Sequence, residues 1–355
     1  MQQRSITVVG AGITGLWQAL TLARRGHRVR LIEQSAEPFA RTASRYAGAM
    51  LGPYCETEAA APVIRDLGLK SMALWRETFP GTVLDGTLVL AAARDKSEVD
   101  RFARLTEGHE TLDDAGIGKL EPDLAGRFAG GLFYRGEGHV ATERAMQFLL
   151  DEIRRAGVEA SFGTSWQGST SADETVIDCR GLGAAGDLAD LRGVRGERFV
   201  VRSAEVNLHR PVRLLHPRRS IYVVPWGDGL HMIGATVIER GDDGPVTVRS
   251  ALELLGMAYT LHPAFAEAEI VEMGAGVRPA FADNIPKVRV QGRTIHVNGL
   301  FRHGFLLAPV LSTLVADYLD GGTTDNRVFE VEAARCRLSA TVKLPPTTQR
   351  HDGSR

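Results

Sequence analysis

The sequence predicts an α/β protein: a Rossmann-type nucleotide-binding domain built from separate segments, with a β-rich domain inserted between them. Three observations carry this. The chain opens on a strand, a glycine loop, a helix and a second strand over 5–33. Patterns of the same kind return at 142–179 and 294–319. The stretches between them are dominated by short apolar runs with Gly and Pro punctuation.

Each part of the opening unit has a physical reason. Ser5-Ile6-Thr7-Val8-Val9 is short, β-branched and apolar, as a buried parallel strand should be. Gly10-Ala11-Gly12-Ile13-Thr14-Gly15 follows, then Leu16, Leu20 and Ala23 at helical spacing, with Gly26 as a stop. The next strand, 28–32, runs into Glu33. In a dinucleotide fingerprint Gly10 permits the tight turn, Gly12 admits the pyrophosphate and Gly15 lets helix and strand pack closely. Ile13 and Thr14 open the helix, whose N-terminal N–H groups and dipole favour phosphate. Glu33 stands eighteen residues beyond Gly15, where a carboxylate can accept from a ribose hydroxyl. Strand, loop, helix and terminal acid agree, so the chain reads as dinucleotide-binding.

The stretch 41–52 is unusually rich in small residues, which let backbone lie flat against something large and planar. A flavin ring is one reading; a helix–helix contact is the other. A helix is expected from Pro62, a favoured first-turn residue, to about 77. Strands at 87–91 and 131–134 surround a charged helix at 96–105, an excursion into a second domain. At 142–155 helical periodicity returns, with Thr142 as N-cap and Gly157 as stop, followed by strands at 158–162 and 175–179. Gly181-Leu182-Gly183-Ala184-Ala185-Gly186 is a second formal GxGxxG. Its helix is brief and no acid-terminated strand follows, so Gly181 reads as a crossover beside the first nucleotide. Beyond it, 220–225 and 230–235 flank a Trp-Gly-Asp-Gly hairpin signal, a helix spans 248–259, and a last strand at 294–297 leads into an apolar helix at 306–319. The expected division is 1–81, 139–198 and 280–320 for the nucleotide domain, 82–138 and 199–279 for the β-rich substrate domain, and 321–355 as a frayed polar tail.

Composition narrows the partners. A net charge of −1 over 355 residues gives no reason to expect nucleic acid or a membrane surface. Cys55, Cys179 and Cys336 form no CxxC, and the ten histidines show no HxxxH spacing, so neither a disulfide framework nor a metal is expected. With no secretory h-region at the N-terminus and no apolar run long enough for a membrane span, a cytoplasmic protein is expected.

Four stretches occur in order: the fingerprint, Ala47-Gly48-Ala49-Met50-Leu51-Gly52, Gly276-Val277-Arg278-Pro279, and Asn298-Gly299-Leu300-Phe301-Arg302-His303-Gly304-Phe305-Leu306-Leu307-Ala308-Pro309. Together, over about 6–319, they resemble the D-amino acid oxidase superfamily of flavoproteins, and within it the glycine oxidases of thiazole biosynthesis. The resemblance implies noncovalent FAD lying extended on the first domain, in a D-amino acid oxidase-like fold. It implies ribose contacts at Glu33 and Gln34, and flavin-ring contacts at Ala43, Ser44, Gly48, Ala49 and Met50. The adenine contact falls near Trp166, where the family more often has valine. The segment Leu300, Phe301, Arg302, His303, Gly304, Phe305 and Leu306 would close over the pyrimidine end of the ring. Substrate carboxylate falls to Arg278 with Arg302 beside it, and an aromatic wall to Tyr222. A homo-oligomer, a small amino acid such as glycine as substrate, and molecular oxygen as electron acceptor are implied as well.

The chemistry at these positions also stands on its own. Arginine meets a carboxylate with two parallel charge-assisted hydrogen bonds that lysine cannot reproduce. Arg278 sits between Gly276 and Pro279, a rigid approach; Arg302 precedes the apolar helix, whose N-terminus would favour negative charge on a reduced ring. Tyr222 is either that wall or a cross-strand packing residue. His303 has no acid partner nearby in sequence and is expected to serve backbone and packing. No acid–base pair stands out, as befits an enzyme whose cofactor carries the chemistry. The expected reaction is oxidative deamination by hydride transfer to the flavin, giving imine, then 2-oxo acid, ammonia and hydrogen peroxide. The rivals are a D-amino acid or sarcosine oxidase or dehydrogenase, a non-catalytic dinucleotide-binding module, and a nicotinamide-dependent dehydrogenase.

Overall fold

The computed structural model describes residues 3–168 and 173–331. Two large sheets organise it. The first has seven strands in the order Phe329–Val331, Lys287–Gln291, Thr294–Asn298, Thr175–Asp178, Ser5–Val9, Arg28–Glu33, Glu159–Phe162. All its pairings are parallel except that between Lys287–Gln291 and Thr294–Asn298. Ser5–Val9 is central, with Ile6, Val8 and Val9 buried, and the glycine loop leaves its C-terminal end. Chain order reverses there, between Thr175–Asp178 on one side and Arg28–Glu33 on the other, and such switch points are where open parallel sheets take ligands.

Helices Ile13–Arg24, Pro62–Thr78, Thr142–Arg155 and Gly304–Leu319 join this sheet in one apolar core. Pro309, inside the last helix, has no N–H to give the carbonyl of Phe305 four residues back. The Trp75 indole donates to that carbonyl instead, at 2.7 Å, and stacks on the Phe305 ring with centroids 6.0 Å apart. Trp17 meets Trp75 edge-on at 5.0 Å. Three helices thus lock the point from which 300–306 departs.

The second sheet has eight strands in the order Glu269–Ala280, Arg192–Arg202, Leu230–Gly234, Ile221–Gly227, Val212–Leu215, Thr87–Ala91, Gly130–Tyr134, Glu110–Asp113. It is antiparallel apart from the pairing of Val212–Leu215 with Thr87–Ala91, and has a core of its own.

Several expectations are corrected. Strand Arg192–Arg202 belongs wholly to the second sheet, so the crossover expected at 198 falls just before Arg192. Thr142 is the first helical residue rather than the cap; its hydroxyl donates to the Ala47 carbonyl at 2.8 Å, pinning the small-residue stretch. The second glycine motif, expected to carry only a brief helix, needs no correction: it makes a short 3-10 turn, Gly181–Ala184. The hairpin turns on Asp228 and Gly229 alone, both left-handed, as a two-residue loop requires. The region after Asp320 is not all tail: Phe329–Val331 adds a parallel strand to the first sheet, with Phe329 buried against Tyr318. Residues 332–355 of the expected tail, with Cys336, lie outside the described residues.

Candidate active site

A cleft runs along the switch point from Glu33, Gln34 and Trp166, past Gly10, Gly12, Ile13 and Thr14, to Ala43, Ser44 and Gly181. It continues into a cavity lined by Gly48, Ala49, Met50, Tyr222, Arg278 and the segment 300–306. Ile13, Thr14, Ala43, Ser44 and Gly181 line both, so the two adjoin along a shared wall. Of the residues named from sequence, Gly15 alone lines neither. A Cβ there would fall 1.8 Å from the Gly10 carbonyl oxygen, so its role is the close packing of helix on loop.

The nucleotide end is more internally braced than the motif suggests. Glu33 accepts from the Ala11 N–H at 2.8 Å and from the Ser35 N–H at 2.9 Å, and Ser44 Oγ accepts from the Ile13 N–H at 3.0 Å. The Ile13 N–H, expected to await a phosphate, and the Ala11 N–H are therefore committed to holding the loop. Each Glu33 oxygen keeps a lone pair for a ribose hydroxyl. Cys179, beside the loop, is buried; that burial and the Asp178 charge push its thiol well up, which leaves it unreactive.

The segment 300–306 is fixed at several points. Asn298 donates to the Gly181 carbonyl at 2.9 Å, and Phe301, in a left-handed turn, donates its N–H to the Pro279 carbonyl at 2.9 Å. The His303 N–H closes on the Leu300 carbonyl at 2.7 Å, and helix Gly304–Leu319 begins. Its N-terminus faces the cavity, as expected from sequence.

Arg278 lies on Glu269–Ala280, opposite Val194 of Arg192–Arg202. Its guanidinium lies across Gly196, where a Cβ would stand 1.9 Å from Nη2. Nη1 donates to the Thr236 carbonyl at 3.1 Å, the one hydrogen bond the side chain makes among the described residues. Burial lowers its basicity, with Tyr222 opposing and Arg302 adding to the effect. Arg278 is thus a half-buried cation with donors to spare, lining the same cavity as Gly48, Ala49 and Met50. Tyr222 and Arg302 line the same cavity, Arg302 as an exposed side chain at its edge.

Sequence reasoning missed Glu56, Arg213 and Gly196, all of which line this cavity. Glu56 Oε1 accepts from Arg213 Nη2 at 2.7 Å, and Glu56 Oε2 stands 3.5 Å from His303 Nδ1. His303, assigned to packing, therefore has an acid partner after all, 247 residues away in sequence. Burial alone would raise the Glu56 carboxyl, but Arg302, Arg213 and His303 outweigh it and bring it down to about 2. The same burial, with Arg302, Arg213 and Arg278, holds His303 neutral with a pKa of about 4, against the pull of Glu56. No local spacing relates residues 56, 213 and 303, so the sequence carried no signal for the group.

Fold and site together define an FAD-dependent oxidoreductase: the chain belongs to the DAO family of FAD-dependent oxidoreductases, whose family model matches residues 5–318. Within that class it is 49% identical over 312 residues to a Rhizobium etli protein assigned to thiamine biosynthesis as the oxidoreductase ThiO, covering 88% of this chain and 95% of that one. It is 28% identical over 353 residues to the glycine oxidase of Geobacillus kaustophilus, covering 89% of this chain and 92% of the other. The crystal structure of that glycine oxidase superposes with a TM-score of 0.77, over 91% of this chain and 96% of its own. The cleft fits FAD on its own geometry: a glycine corner with a helix N-terminus, an acid at the end of the second strand, and a flat, small-residue wall at 47–50 leading to a cationic cavity. Among the described residues, no helix is long and apolar enough to cross a membrane.

Proposed function

We propose that this protein oxidises glycine or another small amino acid to the imine, which water converts to the 2-oxo acid and ammonia, with oxygen reduced to hydrogen peroxide. FAD, held noncovalently in the cleft, supplies the two-electron acceptor. Arg278 carries the reading: a half-buried guanidinium with free donors, lining the same cavity as the flavin-side residues, is what a carboxylate needs in order to be gripped. Held there, an amino acid presents its α-carbon toward the wall formed by Gly48, Ala49 and Met50, and Tyr222 bounds the space left for a side chain. His303 and Arg302 flank the amino terminus of the last helix, which with the arginine charges favours an anion at the pyrimidine end. The similarity to a ThiO protein supports a role in thiazole synthesis, in the cytoplasm, where the imine itself is the useful product.

The test is the visible spectrum of the purified protein before and after anaerobic addition of glycine. The expected result is a flavin spectrum that bleaches with glycine and returns with air, with peroxide released. Acid precipitation should leave the colour in the supernatant as FAD. A flavin spectrum unmoved by any small amino acid refutes the reading.

A further inference from the structure

Glu56 does more in the cavity than balance charge. It arrives on the short 3-10 turn Cys55–Glu58, placed by the buried Glu137, whose Oε1 accepts the Cys55 N–H at 2.7 Å. Its partner Arg213 comes from strand Val212–Leu215 and is almost wholly buried, with Phe102 under its guanidinium at 5.7 Å. Beyond Glu56, Arg213 pairs more weakly with Glu58 at 3.9 Å, whose other oxygen is already held by Arg101 at 2.5 Å, and feels the buried Glu137 at longer range. The charged groups facing Glu56 are Arg213 and Arg302, with the neutral His303 ring beside them and Arg278 and Tyr222 lining the same cavity. One carboxylate therefore sits in a space with three arginines, bonded to the one that lies deepest.

That arrangement is what a substrate carboxylate would make if it entered beside Arg213. We infer that Glu56 is a specificity-determining residue: it occupies the place of a second substrate carboxylate against Arg213, so the cavity admits monocarboxylic amino acids and rejects dicarboxylic ones. The inference rests on the reading that Arg278 takes the first carboxylate. Rejection has two sources. Arg213 is already engaged, and the fixed negative charge of Glu56 faces any second anion. Glu56→Ala removes both, leaving a buried arginine with open donors in a site that already binds amino acids, while Glu56→Gln removes the charge and leaves Arg213 a neutral, weaker acceptor that a carboxylate displaces.

The test uses the FAD-loaded enzyme and the variants Glu56→Gln and Glu56→Ala. The first probe needs no turnover: acetate and malonate, titrated by thermal shift and by perturbation of the flavin absorbance. In the parent, malonate should bind no better than acetate. In the variants, malonate should bind at least about tenfold tighter than acetate, with a saturable rise in melting temperature. The second probe is the ratio of kcat/KM for glycine over iminodiacetate, which should fall by about tenfold or more in the variants. Glu56→Gln keeps shape and packing, and so covers the case in which Glu56→Ala folds poorly. A parent enzyme that prefers malonate to acetate, or variants that leave both ratios unchanged, overturns the inference. If the parent fails to oxidise glycine, the proposed function falls, while the malonate titration still decides whether Glu56 blocks Arg213.

Discussion

The nucleotide cleft and the substrate cavity share a wall, yet they are built in opposite ways. The cleft draws its corner from one continuous stretch: loop, helix start and Glu33 all lie within 5–33. The cavity is gathered from the turn at 55–58, strands Val212–Leu215, Ile221–Gly227 and Glu269–Ala280, and the segment before the last helix. The cleft is held by backbone hydrogen bonds to Glu33 and Ser44; the cavity by charges set against one another. Loss at one should therefore appear as lost cofactor, and loss at the other as lost turnover.

Arg278→Ala tests that division with the largest expected effect. A substrate carboxylate left desolvated and unpaired costs roughly 2–5 kcal/mol, so kcat/KM for glycine should drop from about thirty-fold to several thousand-fold. Arg278→Lys should fall between, since it restores charge but not the fork. Amines lacking a carboxylate should be poor substrates throughout and lose little more. Steady-state kinetics on the three proteins decides it.

The buried acid behind the cavity should make stability depend on pH. Burial pushes Glu137 up to about 7, against the Cys55 N–H and Arg213 that favour its charge. An acid whose folded pKa exceeds its unfolded value binds more protons when folded, so stability falls as pH rises from the ordinary carboxyl range through 7. The loss should be on the order of 3 kcal/mol and should flatten in Glu137→Gln. Denaturant melts at pH 5 and pH 8 read the slope; an equal slope in both proteins would contradict the assignment.

Effects in the cleft should be smaller and confined to the cofactor. Glu33→Ala removes a ribose acceptor and frees the Ala11 N–H, so FAD affinity should weaken about ten- to a hundred-fold, with turnover of the reconstituted enzyme largely kept. Trp166→Ala should weaken FAD by only a few-fold, the range of one aromatic contact. Equilibrium dialysis of the apoproteins gives both numbers, and unchanged affinity in Glu33→Ala would move the ribose contact elsewhere.

The same contrast explains what could be read from the sequence. The strand–loop–helix unit was legible because its logic is local: apolar alternation, glycine spacing and an acid at a fixed offset all lie within one window. Arg278 and Tyr222 were named through the family resemblance, Arg278 also through its setting between Gly276 and Pro279, and both line the cavity. The Glu56–Arg213–His303 group was not, since strand order alone brings those residues together. Gly196 looked like any strand glycine until Arg278 lay across it. Thr142 was misread because a threonine at a helix start suits a cap, but its hydroxyl had a better acceptor in Ala47. The strand Phe329–Val331 was missed because three residues after a polar linker carry no periodicity.

The central claim, that Arg278 serves substrate and not cofactor, is tested most directly by titrating purified Arg278→Ala with acetate and following the flavin absorbance. Acetate carries the carboxylate without the amine, so the titration reads the grip alone. The account expects one FAD per chain, as in the parent, with acetate binding weakened about thirty-fold or more. FAD lost along with the arginine, or acetate bound as tightly as before, would contradict it and pass the carboxylate to Arg302.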